Sequence, residues 1–246
     1  MPNEQELWLT ALMNKFLGGL VTPWMVRLGM PPADPAHPIP NYMAYELLVF
    51  LIIVVGALIL RSRLSVENPG VFQQAMESVL EFTQGMADEM IGHDGRRYVS
   101  MIGTFGLFVA LSNLLGLIPT FATPTAAIQV TLGCAMVAFV YYNYHGLRHH
   151  GMVGYLKHLC GPMLAIAVLM FPIEVFSNLF RMLSLSVRLW ANMLVGDILE
   201  GIFTGLIPIF VPALFMALHI FVSVLQAYVF MILPAVYISM AVAEEH

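Results

Sequence analysis

The sequence predicts an all-α polytopic membrane protein. About five membrane helices are expected, the last two forming a long, strongly tilted hairpin, together with an amphipathic helix in the interface. Three observations carry this. Hydrophobic residues make up 59% of the 246-residue chain and charged residues only 10%, against roughly 25% charged in a soluble domain. Mean hydropathy is +0.82. Apolar segments of spanning length recur along the chain, separated by short breaks. So few charges cannot cover a water-facing surface. The net charge of −5 is scattered without a basic block, which argues against nucleic acid as a partner.

Residues 1–43 form an outer or interfacial segment. "LWLTALMNKFLGGLVTPWMV" is short, interrupted by Gly-Gly and Pro23, and carries tryptophans suited to a membrane surface. No basic region precedes it, so it does not read as a cleaved signal peptide. "MPPADPAHPIP" (30–40) has five prolines and reads as a loop. A single membrane domain is expected over 44–243. Its first span is "YELLVFLIIVVGALIL" (45–60), closed by Arg61 and Arg63. Over 69–92 the apolar residues Val71, Phe72, Met76, Val79, Leu80 and Met86 recur at helical spacing opposite Gln, Glu and Asp, which predicts the interfacial helix. Spans follow at 98–118 and 126–144; the latter ends in Tyr and Asn in the manner of an interfacial belt and leads into "HGLRHHG".

From Pro162 to Ala243 the chain is almost wholly apolar, with one break near Gly205, Pro208 and Pro212. Two helices are expected, about 163–204 and about 209–243. They would be roughly 60 and roughly 50 Å long, against a hydrocarbon core of about 30 Å. Upright helices of that length would carry apolar residues far into water, so steep tilting is expected. Arg61, Arg63, Arg96, Arg97, Arg148 and Lys157 fall in alternate loops, whereas 119–125 and 205–208 hold no Lys or Arg. The positive-inside rule then places the N-terminus outside and the C-terminus in the cytoplasm; the expected location is the cell inner or plasma membrane.

The hairpin carries the polar chemistry. At about 100° per residue, Glu174, Ser177, Arg181, Ser184 and Asn192 lie within about 40° of Arg188 on one face of the first long helix. Asp197 lies on another side, farther along. His219, Ser223, Gln226 and Tyr237 share a face on the second. Serines in such helices commonly join neighbours by hydrogen bonds. Charges are different, because one at mid-membrane costs at least about 2.5–3.5 kcal/mol on insertion scales. Carboxylates and histidine can exchange protons, whereas arginine stays charged. A line of proton-carrying groups interrupted by a fixed cation is two half-wires with a plug. Glu174 falls on an inner path and Asp197 and His219 on an outer one, with Arg188 between. The chain offers no mobile carrier to join them, so a partner should supply it.

"LSVRLWANMLVGD" closely resembles the arginine motif of subunit a of F-type ATP synthases, a pattern of the form L-x-x-R-L-x-x-N-M-x-x-G. "HIFVSVLQAYVFMILPAVYI" (219–238) resembles that family's last helix, with His and Gln seven residues apart; "FPIEVFSNLFRMLSLSVRL" (171–189) and "LSNLLGLIPTFATPTAAIQVTL" (111–132) resemble its other segments. The resemblance covers most of 45–243 in the right order. It implies a non-catalytic ion-translocating subunit without a cofactor. Its partners would be a rotor ring of small two-helix c-type subunits, peripheral-stalk b-type subunits, the rest of the complex and lipid. Arg188 matches the arginine facing the ring carboxylate. Asn113, Asn192, Asp197, His219 and Gln226 match the outer half-channel, and Glu174 and Ser177 the inner. Arg181, Ser184, Ser223 and Tyr237 are auxiliary positions. Trp190 and Ala191 stand where Phe and Gly are usual, and Asp197 where Glu is common.

A stand-alone ion-coupled secondary transporter or channel is the competing reading, but it would commonly show internal repeats or broken helices, and the polar hairpin occurs once. An intramembrane metalloenzyme is the other. His145, His149, His150 and His158 cluster, yet without HExxH spacing, and read as solvated loop histidines. No metal site is expected. Cys134 and Cys160 lie in or beside apolar segments without CxxC spacing and read as packing residues.

Overall fold

The computed structural model describes residues 6–27, 37–92, 94–118, 120–160, 164–206 and 210–242. Among them are seven α-helices and no strand. These are α1 (Trp8–Arg27), α2 (Asn41–Ser62), α3 (Val71–Ile91), α4 (Val99–Leu115), α5 (Ile128–Cys160), α6 (Leu164–Leu206) and α7 (Phe210–Val242). Single 3₁₀ turns at Gly95–Arg97 and Pro124–Ala126 precede α4 and α5. Most of the proline-rich stretch 30–40, and the turn of the expected hairpin at 207–209, lie outside the described residues, as do the side chains of Cys160 and His158.

Three helices are long and apolar enough to cross a membrane by length and composition: Asn41–Ser62, Leu169–Phe203 and Ala213–Val242. Val99–Leu115 is a shorter apolar helix. α5 falls outside this set, because Tyr141–His145 dilutes its apolar stretch. The protein is a multi-pass, all-α membrane protein. Its outer surface is apolar, with Phe50, Leu51, Leu58, Phe176, Phe180, Phe221 and Val224 all exposed, as suits a chain whose solvent is lipid.

α4, α5, α6 and α7 form the bundle. One core cluster joins Val109 of α4, Ala135 and Ala138 of α5, Leu185, Leu189 and Met193 of α6, and Phe230 of α7. A second joins Met86 and Ala87 of α3 to Ile102, Tyr142, Met231, Ala235 and Ile238. Small residues set the close approaches, as is usual where lipid offers no hydrophobic drive between helices. Gly106 lies against the thioether of Met231, with no room for a Cβ. A third cluster ties α1 to the start of α2 through Leu7, Leu9, Met13, Ile39 and Tyr45, and to Phe121 and Ala122 beyond α4. The Tyr45 hydroxyl donates to the Thr120 carbonyl at 3.2 Å, at a residue with φ of 77°.

The structure corrects the reading of 145–151. The histidines there do not sit in a loop. Helix α5 continues through them to a break at Gly151, whose φ of 71° is left-handed. His145 is held among Tyr98, Tyr141 and Tyr144, with ring centroids at 5.1, 4.5 and 5.5 Å. Edge-on and tilted ring contacts hold the imidazole against the tyrosines, and the helix persists where polarity alone suggested an exit from structure.

Candidate functional site

Two polar clusters lie at opposite ends of α6, with Arg188 between them. Glu174 and Asp197 are separated by about 35 Å along the helix axis, at about 1.5 Å per residue.

The first cluster surrounds a cavity of about 220 Å³ lined by Tyr142, Tyr155, Glu174, Asn178, Arg181 and Tyr237, with α5, α6 and α7 each contributing. The Arg181 guanidinium lies 3.4 Å from Glu174 Oε1 and donates to Asn178 Oδ1 at 3.2 Å. Tyr142 donates to the same amide oxygen at 3.3 Å, and Tyr155 to Asn143 Oδ1 at 2.6 Å. The guanidinium also lies 5.8 Å from the centroid of the Tyr237 ring, within cation–π range. Gly146 permits this assembly: a Cβ there would sit 2.7 Å from the Tyr155 ring and 3.0 Å from the Ala241 carbonyl. Ser177 is half-buried beside it, and the buried polar residue of that turn is its neighbour Asn178.

The second cluster forms where α4, the 3₁₀ turn before α5, α6 and α7 meet. Asn113 is fully buried. Its Oδ1 accepts from the Thr125 hydroxyl, and its Nδ2 donates to the Ser223 carbonyl at 3.5 Å. Thr123 donates to Asp197 Oδ1 at 3.1 Å. His219 Nδ1 lies 4.0 Å from Glu200 Oε2. Ser223 and Gln226 are buried on the same face of α7 as His219. Neither His219 ring nitrogen has a hydrogen-bond partner among the described residues, nor do Ser223 Oγ and Gln226 Oε1.

Arg188 is unlike either cluster. Leu185, Ser186, Leu189 and Met193 bury the opposite face of α6, and the Ser186 hydroxyl meets Thr131 at 3.2 Å. Arg188, Ser184 and Asn192 are exposed on the outside of the bundle. Arg188 donates to Ser184 Oγ at 3.4 Å. Among the described residues it makes no ion pair. The polar stripe expected from helical spacing is therefore split. It runs along the edge of the buried face, so the long side chains of Glu174 and Arg181 reach into the cavity while Ser184, Arg188 and Asn192 stay outside.

Several members of these clusters are not among the residues the sequence singled out: Thr123, Thr125, Tyr142, Asn178 and Glu200. Glu200 had a signal, a second carboxylate three residues after Asp197 in an apolar helix. The threonines had only the short "TPT" stretch. Asn178 sits one residue from a serine of the stripe, a difference that a single helix wheel does not decide. Among the described residues no group of His, Cys, Asp and Glu could hold a metal ion. Cys134 is a free thiol against the α5–α6–α7 core.

An all-α membrane bundle with two partly buried polar clusters and the outward-facing Arg188 between them defines the class: a membrane protein that carries polar groups within its helix bundle. Residues 43–239 match the family model described as ATP synthase A chain. Over its full length the chain is 46% identical to all of "ATP synthase subunit a" of Koribacter versatilis (strain Ellin345). It is 45% identical to the Solibacter usitatus (strain Ellin6076) "ATP synthase subunit a", covering 96% of this chain and 100% of that one. For "ATP synthase subunit a 1" of Pelobacter propionicus the figures are 41%, 83% and 88%. The chain belongs to the ATP synthase subunit a family. It is a membrane subunit of that complex, in its proton-translocating F0 sector.

Proposed function

We propose that this chain is the stator subunit that leads protons to and from a rotor-ring carboxylate through two offset half-channels, with Arg188 separating them. The observation that carries this is the outward-facing Arg188. A guanidinium midway along an apolar helix, with a serine hydroxyl and no ion pair among the described residues, needs a counter-charge from elsewhere. A carboxylate on a ring of small c-type subunits, passing the Ser184–Arg188–Asn192 face, supplies it. Arginine remains protonated throughout, so it holds the passing carboxylate ionised and cannot itself relay a proton between the two clusters.

The clusters fit the two paths. Glu174, Arg181 and Tyr237 border the cavity and, with Ser177 next to the lining Asn178, form the inner half-channel. Asn113, Asp197, His219 and Gln226 form the outer one, with Ser223 beside them, and Asn192 links it to the ring face. A buried histidine with neither ring nitrogen hydrogen-bonded among the described residues and a carboxylate that accepts from the Thr123 hydroxyl are groups that can change protonation during turnover. The protein itself performs no bond chemistry beyond proton transfer. The N-terminus lies outside and the C-terminus in the cytoplasm, in the cell inner membrane, with α3 along the interface beside the b-type stalk. α6 and α7 lie steeply tilted, since helices of about 65 and about 50 Å cannot stand upright in a core of about 30 Å.

Cysteines placed at the α6 surface test the ring contact. In the assembled complex, Ser184→Cys and Asn192→Cys should each form a disulfide with a cysteine placed beside the ring carboxylate, and Ser186→Cys should not. Cross-linking from Ser186→Cys alone would reverse the assignment of faces.

A further inference from the structure

The second polar cluster holds two carboxylates on successive turns of α6, and they face different neighbours. Asp197 points at the α4–α5 connection, with Oδ1 3.1 Å from the donating Thr123 hydroxyl. His219 meets α6 elsewhere. Its ring lies on Gly196, where an added Cβ would sit 3.0 Å from Nδ1 and 3.1 Å from Cε1. One turn beyond Gly196 on the same face is Glu200, whose Oε2 is 4.0 Å from Nδ1. The His219 side chain is 4% exposed and Glu200 is 28% exposed. A buried base with neither ring nitrogen hydrogen-bonded among the described residues therefore stands beside a carboxylate that reaches the surface.

We propose that Glu200, rather than Asp197, is the proton-relay partner of His219, exchanging protons with the aqueous side and passing them to Nδ1. This rests on the half-channel reading above. In the inward direction the Glu200 carboxyl O–H bond breaks and the proton forms Nδ1–H, leaving a carboxylate and an imidazolium. Nε2–H then releases its proton towards the ring, leaving the neutral Nδ1–H tautomer, and a turn of the imidazole presents the bare Nε2 to Glu200 for the next proton. The carboxylate takes its next proton from water. No electron moves and every proton is placed. The 4.0 Å separation closes by a rotation of the Glu200 side chain, and Gly196 leaves the imidazole a flat backbone surface against which to turn. Asp197, tethered by Thr123, is a separate station on the same path.

The test is ATP-driven acidification of inverted vesicles carrying the whole complex, with chain content measured by immunoblot. Glu200→Gln preserves shape and hydrogen bonding but carries no exchangeable acid proton. Its initial rate should fall about ten-fold or more at unchanged chain content, the scale of one lost acid–base group. Glu200→Asp should fall between Glu200→Gln and wild type. The double variant Glu200→Gln/His219→Ala should be no slower than His219→Ala, because both act in one step. A wild-type rate in Glu200→Gln, or multiplicative losses in the double variant, would overturn the assignment. Should Glu200→Gln not accumulate, Glu200→Asp carries the test, since it keeps the charge and lengthens the transfer; a wild-type rate there also overturns it. Arg188→Ala in the same vesicles separates the two levels: sustained pumping by it would sink the half-channel reading itself, whatever Glu200 does.

Discussion

Asn113 shows at the residue scale what a single side chain does in this protein. It joins α4 to the α5 approach through Thr125 and to the α7 backbone through the Ser223 carbonyl. Its replacement leaves the Thr125 hydroxyl buried without this acceptor and removes a second donor from the Ser223 carbonyl, a loss of about 1–3 kcal/mol. Asn113→Ala should lower the midpoint of thermal aggregation in detergent, whereas an unaltered midpoint would mean that these bonds contribute nothing net. Thr123 acts on one group only. Thr123→Val removes the donor to Asp197 and should slow pumping, and Thr123→Ser should retain it; equal rates in the two variants would show that the hydroxyl is irrelevant. The legibility of the site divides along these lines. Arg188, Asp197 and His219 stand out because charge in an apolar run is costly wherever the run folds. Thr123, Asn178 and Glu200 acquire meaning only from what faces them, and facing is a tertiary property. Helical periodicity placed Glu174 and Arg188 on one stripe, yet it could not tell that the stripe follows the edge of a buried face.

Helix limits were more accessible than side-chain partners. α6 and α7 run Leu164–Leu206 and Phe210–Val242, where unbroken apolarity and one Gly/Pro interruption suggest two long helices. α5 is the exception. Its polar, histidine-bearing half reads as a loop, but it stays helical as far as Gly151, with His145 in edge-on or tilted ring contact with Tyr98, Tyr141 and Tyr144. Element packing depends on a few close approaches, and α4 against α7 is the clearest. Gly106→Leu inserts a side chain where Met231 leaves no room for a Cβ. Overpacking of this kind costs about 1–3 kcal/mol. The variant should lose thermal stability in detergent, and the double variant Gly106→Leu/Met231→Ala should recover part of it. No recovery would mean that the contact is not the cause.

The whole molecule places two polar clusters at opposite ends of one helix and, on the outside between them, an arginine that makes no ion pair among the described residues. Its exposed apolar surface suits lipid around most of the bundle. Tilt belongs to this scale as well. Water-soluble thiol reagents applied to single cysteines along 169–203 should label a stripe that follows the Arg188 face, whereas labelling confined to the two helix ends would indicate an upright span. The proposed role of Arg188, keeping the two paths apart while a ring carries protons between them, is tested by ATP-driven acidification of inverted membrane vesicles, wild type beside Arg188→Ala, with passive proton leak recorded on the same vesicles. Strong acidification is expected in the wild type, none in Arg188→Ala, and a raised passive leak through the variant. Equal acidification in both would rule that role out.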